Sequence, residues 1–235
     1  KIAKREGIGK LLAKGVKRAA QKLGKEAEEF AVQVKGLEAP AHDPRSGKAL
    51  AVSYGTGSRG SCHIHPVEAM GYDGGKMDFE LSDFGLTDPE KLDKWEEEGK
   101  GKEVKLLQDG GTLPDIMGTC KFMFYVGAGI KEYAEILGGL TGWKVDGWDL
   151  LEIGERAINL QKMFNIREGF VKEDDMIHPR MGEVPEFGDY HDVEDCAIKD
   201  FPAMLNEYYE ARGWNKKTGR PEKSKLKELG LGEFA

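Results

Sequence analysis

The sequence predicts a mainly α-helical protein with several helices and only a few short strands. Three observations carry this. Apolar residues recur at helical spacing in several separate segments, glycine and proline stop most of those segments, and strict apolar/polar alternation is confined to one short stretch.

The first helix is predicted over Ile8 to Leu23, where Ile8, Leu11, Leu12, Val16, Ala19, Ala20 and Leu23 fall on one face and Gly24 follows as a stop. Phe30, Val32 and Val34 alternate with polar residues and predict a short strand. Pro40, Pro44 and Gly47 then break any pattern, and a domain boundary is expected near Gly36: residues 1–36 as the end of a preceding helical domain with its linker, and 37–235 as a helical domain. Gly55 to Gly60 reads as a Gly/Ser-rich turn leading into Ser61-Cys62-His63-Ile64-His65, and Met70 to Asp88 as an irregular loop. Asp88-Pro89-Glu90 has the form of a cap followed by proline in a first helical turn. A helix is expected around Lys102 to Gln108, ending near Gly110-Gly111. Phe122 to Val126 and Ile130 to Leu137 read as helical pieces interrupted by Gly127 and Gly129. Asp149 to Phe164 is the clearest helix, with Leu150, Ile153, Ala157, Leu160 and Phe164 as its expected buried stripe. Pro202 to Arg212, stopped by Gly213, and Pro221 to Leu229 complete the set.

A length of 235 residues allows one large domain or two small ones, and 39% hydrophobic with 33% charged residues fits a soluble globular chain. No apolar run approaches the roughly 20 residues of a bilayer span. Lys1 in place of Met predicts that the sequence starts inside a longer polypeptide. The formal charge is −7, yet residues 1–25 hold lysine or arginine at 1, 4, 5, 10, 14, 17, 18, 22 and 25 against the single acid Glu6. Such a basic helix could bind nucleic acid or an anionic membrane, or could be a solvated face meeting acidic surface elsewhere. No aromatics interleave with these lysines, which favours the solvated face. Cys62, Cys120 and Cys196 are too far apart for a CxxC site, and an odd count argues for a reducing, cytoplasmic setting.

Two segments place reactive side chains beside glycines. In Arg59-Gly60-Ser61-Cys62-His63, glycine allows close backbone approach, arginine can bind phosphate bidentately and histidine can transfer protons near neutrality. The same residues would equally form a turn with a surface arginine and a core histidine. In Asp115-Ile116-Met117-Gly118-Thr119-Cys120, a carboxylate can accept paired hydrogen bonds from an amino-heterocycle and a thiolate can bind iron. The alternative is a helix cap with a buried structural cysteine. His42 in the HDPR turn reads as structural, His178 and His191 as residues of a polar stretch, and Cys196 as a core thiol.

SRGSCH followed by DIMGTCKF, together with KGLEAPAHDPR at 35–45, the TGWKVDGWDLLEIGERAINLQKMFNIREGF stretch at 141–170 and EYYEARGW at 207–214, resembles the third domain of the aldehyde:ferredoxin oxidoreductase family. The resemblance runs from about Lys10 to the C-terminus. It implies a C-terminal multi-helix domain of that type, contributing contacts to a tungsten bis-pterin cofactor and a 4Fe–4S cluster. By the same resemblance Asp115 anchors the pterin, Cys120 is one cluster ligand, and Thr119 and Lys121 contact the cofactor largely through backbone. Arg59 contacts the cofactor and His63 lies near tungsten as the catalytic proton-transfer group. His65 stands where the family carries a lysine near the phosphate or magnesium region, and is counted with the cofactor-binding residues.

The other three cluster cysteines, in the family's upstream CxxCxxxC motif, are absent, as are the N-terminal β domain and a second pterin-binding motif. This chain by itself is therefore expected to hold neither cofactor. The stretch 66–102 looks longer than in the simplest members. The resemblance implies oxidation of aldehydes to carboxylic acids with ferredoxin, or an electron-transfer subunit, as acceptor. An alternative within the family is the tungsten subunit of a benzoyl-CoA reductase, with an acyl-CoA substrate. An alternative of another class is a non-catalytic helical binding domain. No nucleic-acid partner and no membrane span are expected, and homo-oligomerisation stays open.

Overall fold

The computed structural model describes residues 1–65, 69–73 and 81–235. Expectations for the loop stretch therefore fall outside the described residues at 66–68 and 74–80. Twelve helices stand among the described residues: α1 (Gly9–Leu12), α2 (Val16–Leu23), α3 (Lys25–Glu28), α4 (Ala49–Thr56), α5 (Ala69–Asp73), α6 (Lys100–Gly111), α7 (Leu113–Met117), α8 (Phe122–Tyr125), α9 (Ile130–Thr141), α10 (Gly147–Arg167), α11 (Phe201–Ala211) and α12 (Lys223–Glu228). One two-stranded antiparallel ribbon joins β1 (Gln33–Val34) to β2 (Leu37–Glu38). The mainly α expectation holds.

The centre of the fold is α4, whose eight residues are all buried. It packs on α6 and α11, and α6 packs in turn on α10 and α11. The sequence reading missed α4 and began its turn inside it, because a helix buried on every side has no polar face to give it a period. The first predicted helix is split: α1 and α2 are separated at Ala13–Gly15, and Ile8, Leu12 and Leu23 are exposed. The predicted strand is β1, and Lys35 and Gly36, at φ 53° and 88°, form the hairpin turn to β2. Asp88-Pro89-Glu90 makes a single 3₁₀ turn, with Asp88 Oδ1 accepting from the Glu90 backbone at 3.0 Å.

The long helix α10 is capped by Asp146 and Asp149, which bond reciprocally at 3.0 and 2.9 Å. Its buried face follows the expected stripe only in part: Leu150 is buried and Ile153 and Ala157 are half-buried. Leu160 is 42% exposed and Phe164 53%, while Leu150, Leu151, Ile158, Glu155, Asn159 and Lys162 point inward. The polar members have partners from distant elements. Trp214 donates to Asn159 Oδ1 at 2.8 Å, Lys105 donates to Glu155 at 3.1 Å, and Lys162 meets Asp175 at 2.5 Å.

Two buried polar networks fix the helices relative to one another. In the first, the fully buried Arg212 pairs with Asp109 and donates to Tyr208 Oη at 2.9 Å and to Gln108 Oε1 at 3.0 Å. Gln108 continues to Thr56 Oγ1 at 3.0 Å, so α11, α6 and α4 share one hydrogen-bonded chain. In the second, Asp175 lies 2.9 Å from Lys35 Nζ, 2.5 Å from Lys162 Nζ and 2.6 Å from Tyr209 Oη. Lys35 also donates to the carbonyl of Gly55, which ties the hairpin turn to the C-terminal end of α4. The chain leaves α4 from that anchored point into the Arg59–His65 segment.

Candidate functional site

The segment after α4 turns tightly. Gly57 N donates to Ser53 O at 2.9 Å, Gly60 N to Gly57 O at 3.1 Å and Cys62 N to Gly60 O. Gly60 adopts φ 90°, and a Cβ at this position would collide with the carbonyl of Val34 in β1. The turn thus rests on the ribbon, leaving Arg59 exposed and His63 and His65 half-buried.

The second segment starts in α7, ends that helix at Gly118, and enters α8 after Cys120. Asp115 Oδ2 accepts from Lys121 Nζ at 2.7 Å and faces His65 Nδ1 at 3.1 Å. The contact joins the two motifs across 50 residues of sequence. Ser58 Oγ lies 3.3 Å from His65 Nε2, and Asn165 of α10 donates to the Ser58 carbonyl at 2.9 Å. His65 is therefore held from both ring nitrogens. Burial, and then the nearby charges of Lys121 and Arg59, outweigh Asp115 and push its pKa below the ordinary histidine range, so the ring is neutral at pH 7.

Asp115 keeps Oδ1 without a hydrogen bond among the described residues, on a side chain 42% exposed. One oxygen is thus open, while Oδ2, which a paired contact with an amino-heterocycle would also use, is engaged by Lys121 and His65. Thr119 Oγ1 is 3.1 Å from Tyr133 Oη, which fixes the loop between Gly118 and Lys121. The Lys121 side chain is committed to Asp115, which leaves its backbone for the contact that the resemblance implied. Cys120 is exposed. Around it, Ile116, Phe122, Met123 and Val126 form an apolar rim, from 43% to 77% exposed.

His63 packs against the ring of His42, with centroids 4.1 Å apart and planes tilted by 44°. His42 has a structural place in the HDPR turn, as its sequence position indicates. Its backbone does serve the turn, since Tyr54 Oη donates to the His42 carbonyl at 2.8 Å and Asp43 clamps Arg45 at 2.6 Å. Its ring, however, supports His63, and no feature of sequence spacing signalled that contact. Ser58 sat in a motif already noted; Asn165 carried no signal at all. A cleft of about 620 Å³ opens beside His42, walled by Pro44, Arg45, Arg180, Met181 and Phe187.

Of the expected site residues, His65, Asp115 and Lys121 are joined by hydrogen bonds; Cys120 precedes Lys121 in the chain, and Arg59 acts on His65 through its charge. Cys196 is fully buried and its thiol is pushed up by burial, which suits a core thiol. His178 caps its own turn by accepting from Arg180 N, and the exposed His191 pairs with Asp192 at 2.7 Å. Among the described residues no group of three or more His, Cys, Asp or Glu could enclose a metal, so Cys120 offers one ligand only. Nor is any described helix long and apolar enough to cross a membrane.

Asp115, His65 and Lys121 thus form one contact set in a helical domain, with the exposed Cys120 next to Lys121 in the chain. The chain belongs to the aldehyde ferredoxin oxidoreductase family: the family model described as aldehyde ferredoxin oxidoreductase, domains 2 & 3, matches residues 1–231. It is 36% identical over 236 residues to the tungsten-containing aldehyde ferredoxin oxidoreductase of Pyrococcus furiosus, covering all of this chain and 36% of that protein. The enzyme of the same name from Thermococcus kodakarensis is 35% identical over 241 residues, with the same coverage of both chains. Among solved structures, the active-site complex BamBC of benzoyl coenzyme A reductase with 1,5-dienoyl-CoA has the same fold, with TM-score 0.67 at 22% identity over 99% of this chain and 38% of that one. The chain spans about a third of the length of the curated relatives it matches.

Proposed function

We propose that this chain is the C-terminal part of a tungsten-pterin, iron–sulfur oxidoreductase that converts aldehydes to carboxylic acids and passes electrons to ferredoxin. The observation that carries this reading is the His65–Asp115 contact, which joins two distant motifs on a face where Cys120 lies open. The donor set fits the cofactors in part: Asp115 would hold a pterin edge through Oδ1, and Cys120 would give the cluster one thiolate. Three further thiolates would come from outside this chain, since Cys196 is buried in the core and Cys62 belongs to the tight turn below His63. When bound, the metal centres would supply the two-electron redox chemistry.

The residues of this chain would do the positioning. Lys121 and His65 hold Asp115 Oδ2, which leaves Oδ1 directed to its ligand. Arg59 brings an exposed guanidinium suited to a phosphate of the pterin. His63 would accept and return a proton at a ring nitrogen, with His42 fixing the plane of the imidazole. The cleft beside His42 would admit the substrate.

The decisive measurement is tungsten and iron content of the longer protein purified without oxygen, followed by aldehyde-dependent ferredoxin reduction. Neither metal present would end this reading. A second reading, a subunit reducing an acyl-CoA ring, is supported by the fold likeness to the benzoyl coenzyme A reductase complex. Tungsten with dienoyl-CoA turnover and no aldehyde turnover would favour it.

A further inference from the structure

The loop after α11 is a closed, heavily bonded turn. Asn215 N donates to the Arg220 carbonyl at 2.8 Å and Gly219 N to the Asn215 carbonyl at 2.7 Å. Asn215 Oδ1 accepts from the backbones of Lys217 and Thr218 at 3.0 and 3.2 Å, and its amide donates to Glu222 at 2.9 Å. Gly219 takes φ 66° and sits so close to Tyr209 that a Cβ would lie 3.0 Å from the phenol oxygen. The loop is thereby pressed against α11, and Lys172 reaches across to donate to the Lys216 carbonyl at 2.5 Å.

Between this loop and the end of α10 lies a pocket of about 270 Å³. Lys172, Lys217, Thr218 and Arg220 form its polar wall, and Ile166 and Phe170 contribute an apolar one. Its positive charge is only partly compensated. Lys162 at the margin is matched by Asp175 and Lys216 outside by Glu210, but among the described residues Lys217 and Arg220 form no ion pair, and Glu173, the acid on the wall, pairs with neither. The chain as a whole carries −7. In so acidic a molecule, two cations on a rigid loop left without carboxylates mark a place where an anion is favoured. A guanidinium can bind phosphate oxygens in pairs, a lysine adds a point charge, and the Thr218 hydroxyl a further donor.

We propose that this pocket binds the phosphomonoester group of a small organic ligand, with a ring of that ligand lying against Ile166 and Phe170. The volume suits a molecule of about mononucleotide size, near the lower limit of ordinary ligand sites. The proposal shares no residue with the motif-bearing face and stands independently of the redox reading.

The test is calorimetric titration of the chain with AMP and with adenosine. AMP should bind saturably and adenosine at least about tenfold more weakly, the effect of losing roughly one charged contact. The double variant K217Q/R220Q should lose AMP affinity by at least about tenfold at unchanged melting temperature. A charge-matched control, K144Q/K223Q, should bind AMP as the original chain does. Equal affinity for AMP and adenosine, no AMP binding, retention of binding in K217Q/R220Q, or equal loss in both double variants would overturn the proposal.

Discussion

His42 and His63 stack with ring centroids 4.1 Å apart, so a histidine in one turn fixes the plane of a histidine in another, 21 residues on. If His63 handles the proton, His63→Phe in the longer enzyme should lower turnover at least about 100-fold while tungsten content holds. His42→Ala should cost about tenfold, part of what misplacing a reacting group can cost. His65→Phe should behave differently, lowering tungsten per protein because it releases Asp115. Tungsten content and turnover per tungsten, measured on all three, separate these outcomes. Normal turnover in the His63 variant would mean the motif has been placed in the wrong register.

Cys120→Ala should remove iron from the longer enzyme and slow ferredoxin reduction, with tungsten less affected. Iron analysis and the rate of ferredoxin reduction decide this. Unchanged iron and an unchanged rate would remove Cys120 from the ligand set. The isolated chain, reconstituted with iron and sulfide, should show no cluster absorbance after desalting.

Asp175 is a stability residue. Burial raises its pKa, but the ammonium groups of Lys35 and Lys162, with the Tyr209 hydroxyl, more than reverse this and hold the carboxyl below its usual range. Asp175→Asn leaves two buried lysines without a counter-charge and should cost about 3 kcal/mol, the lower end for breaking a buried pair, since Lys35 can shed its proton. The exposed Asp189→Asn should stay within about 0.5 kcal/mol. Urea denaturation of both variants is the measurement, and equal midpoints would refute the network's role.

Glu103 gives a pH dependence. Burial, and then the charge of Asp73, push its carboxyl up to about 8 against the pull of Lys100, with Glu207 adding to the rise. Between the unfolded value of about 4.3 and that point, the folded chain binds the extra proton, so this group's stabilisation is present at low pH and is lost as pH rises through about 8. E103Q, which stays neutral, should be more stable than the original chain at pH 9, on the order of 2 kcal/mol, with the gap closing by pH 5. Thermal denaturation at the two pH values tests it. A gap that widens toward pH 5 would reverse the assignment.

The sequence by itself determined the elements whose signals are local. α6 ends at Gly111 and α11 just before Gly213, as the glycines in the sequence indicate, because stops act within a few residues. It also supplied the two motifs. Only the tertiary structure decided which faces are inside. Apolar periodicity assigned Leu160 and Phe164 to the core of α10, yet Asn159 and Lys162 lie there, since their partners Trp214 and Asp175 come from other parts of the chain. Buried polar groups follow their partners, and partners 13 to 55 residues away leave no local period. α4 left no period because it is buried on every side, whereas the contact of His65 with Asp115 and the support of His63 by His42 are relations between distant segments, fixed by packing and not by spacing.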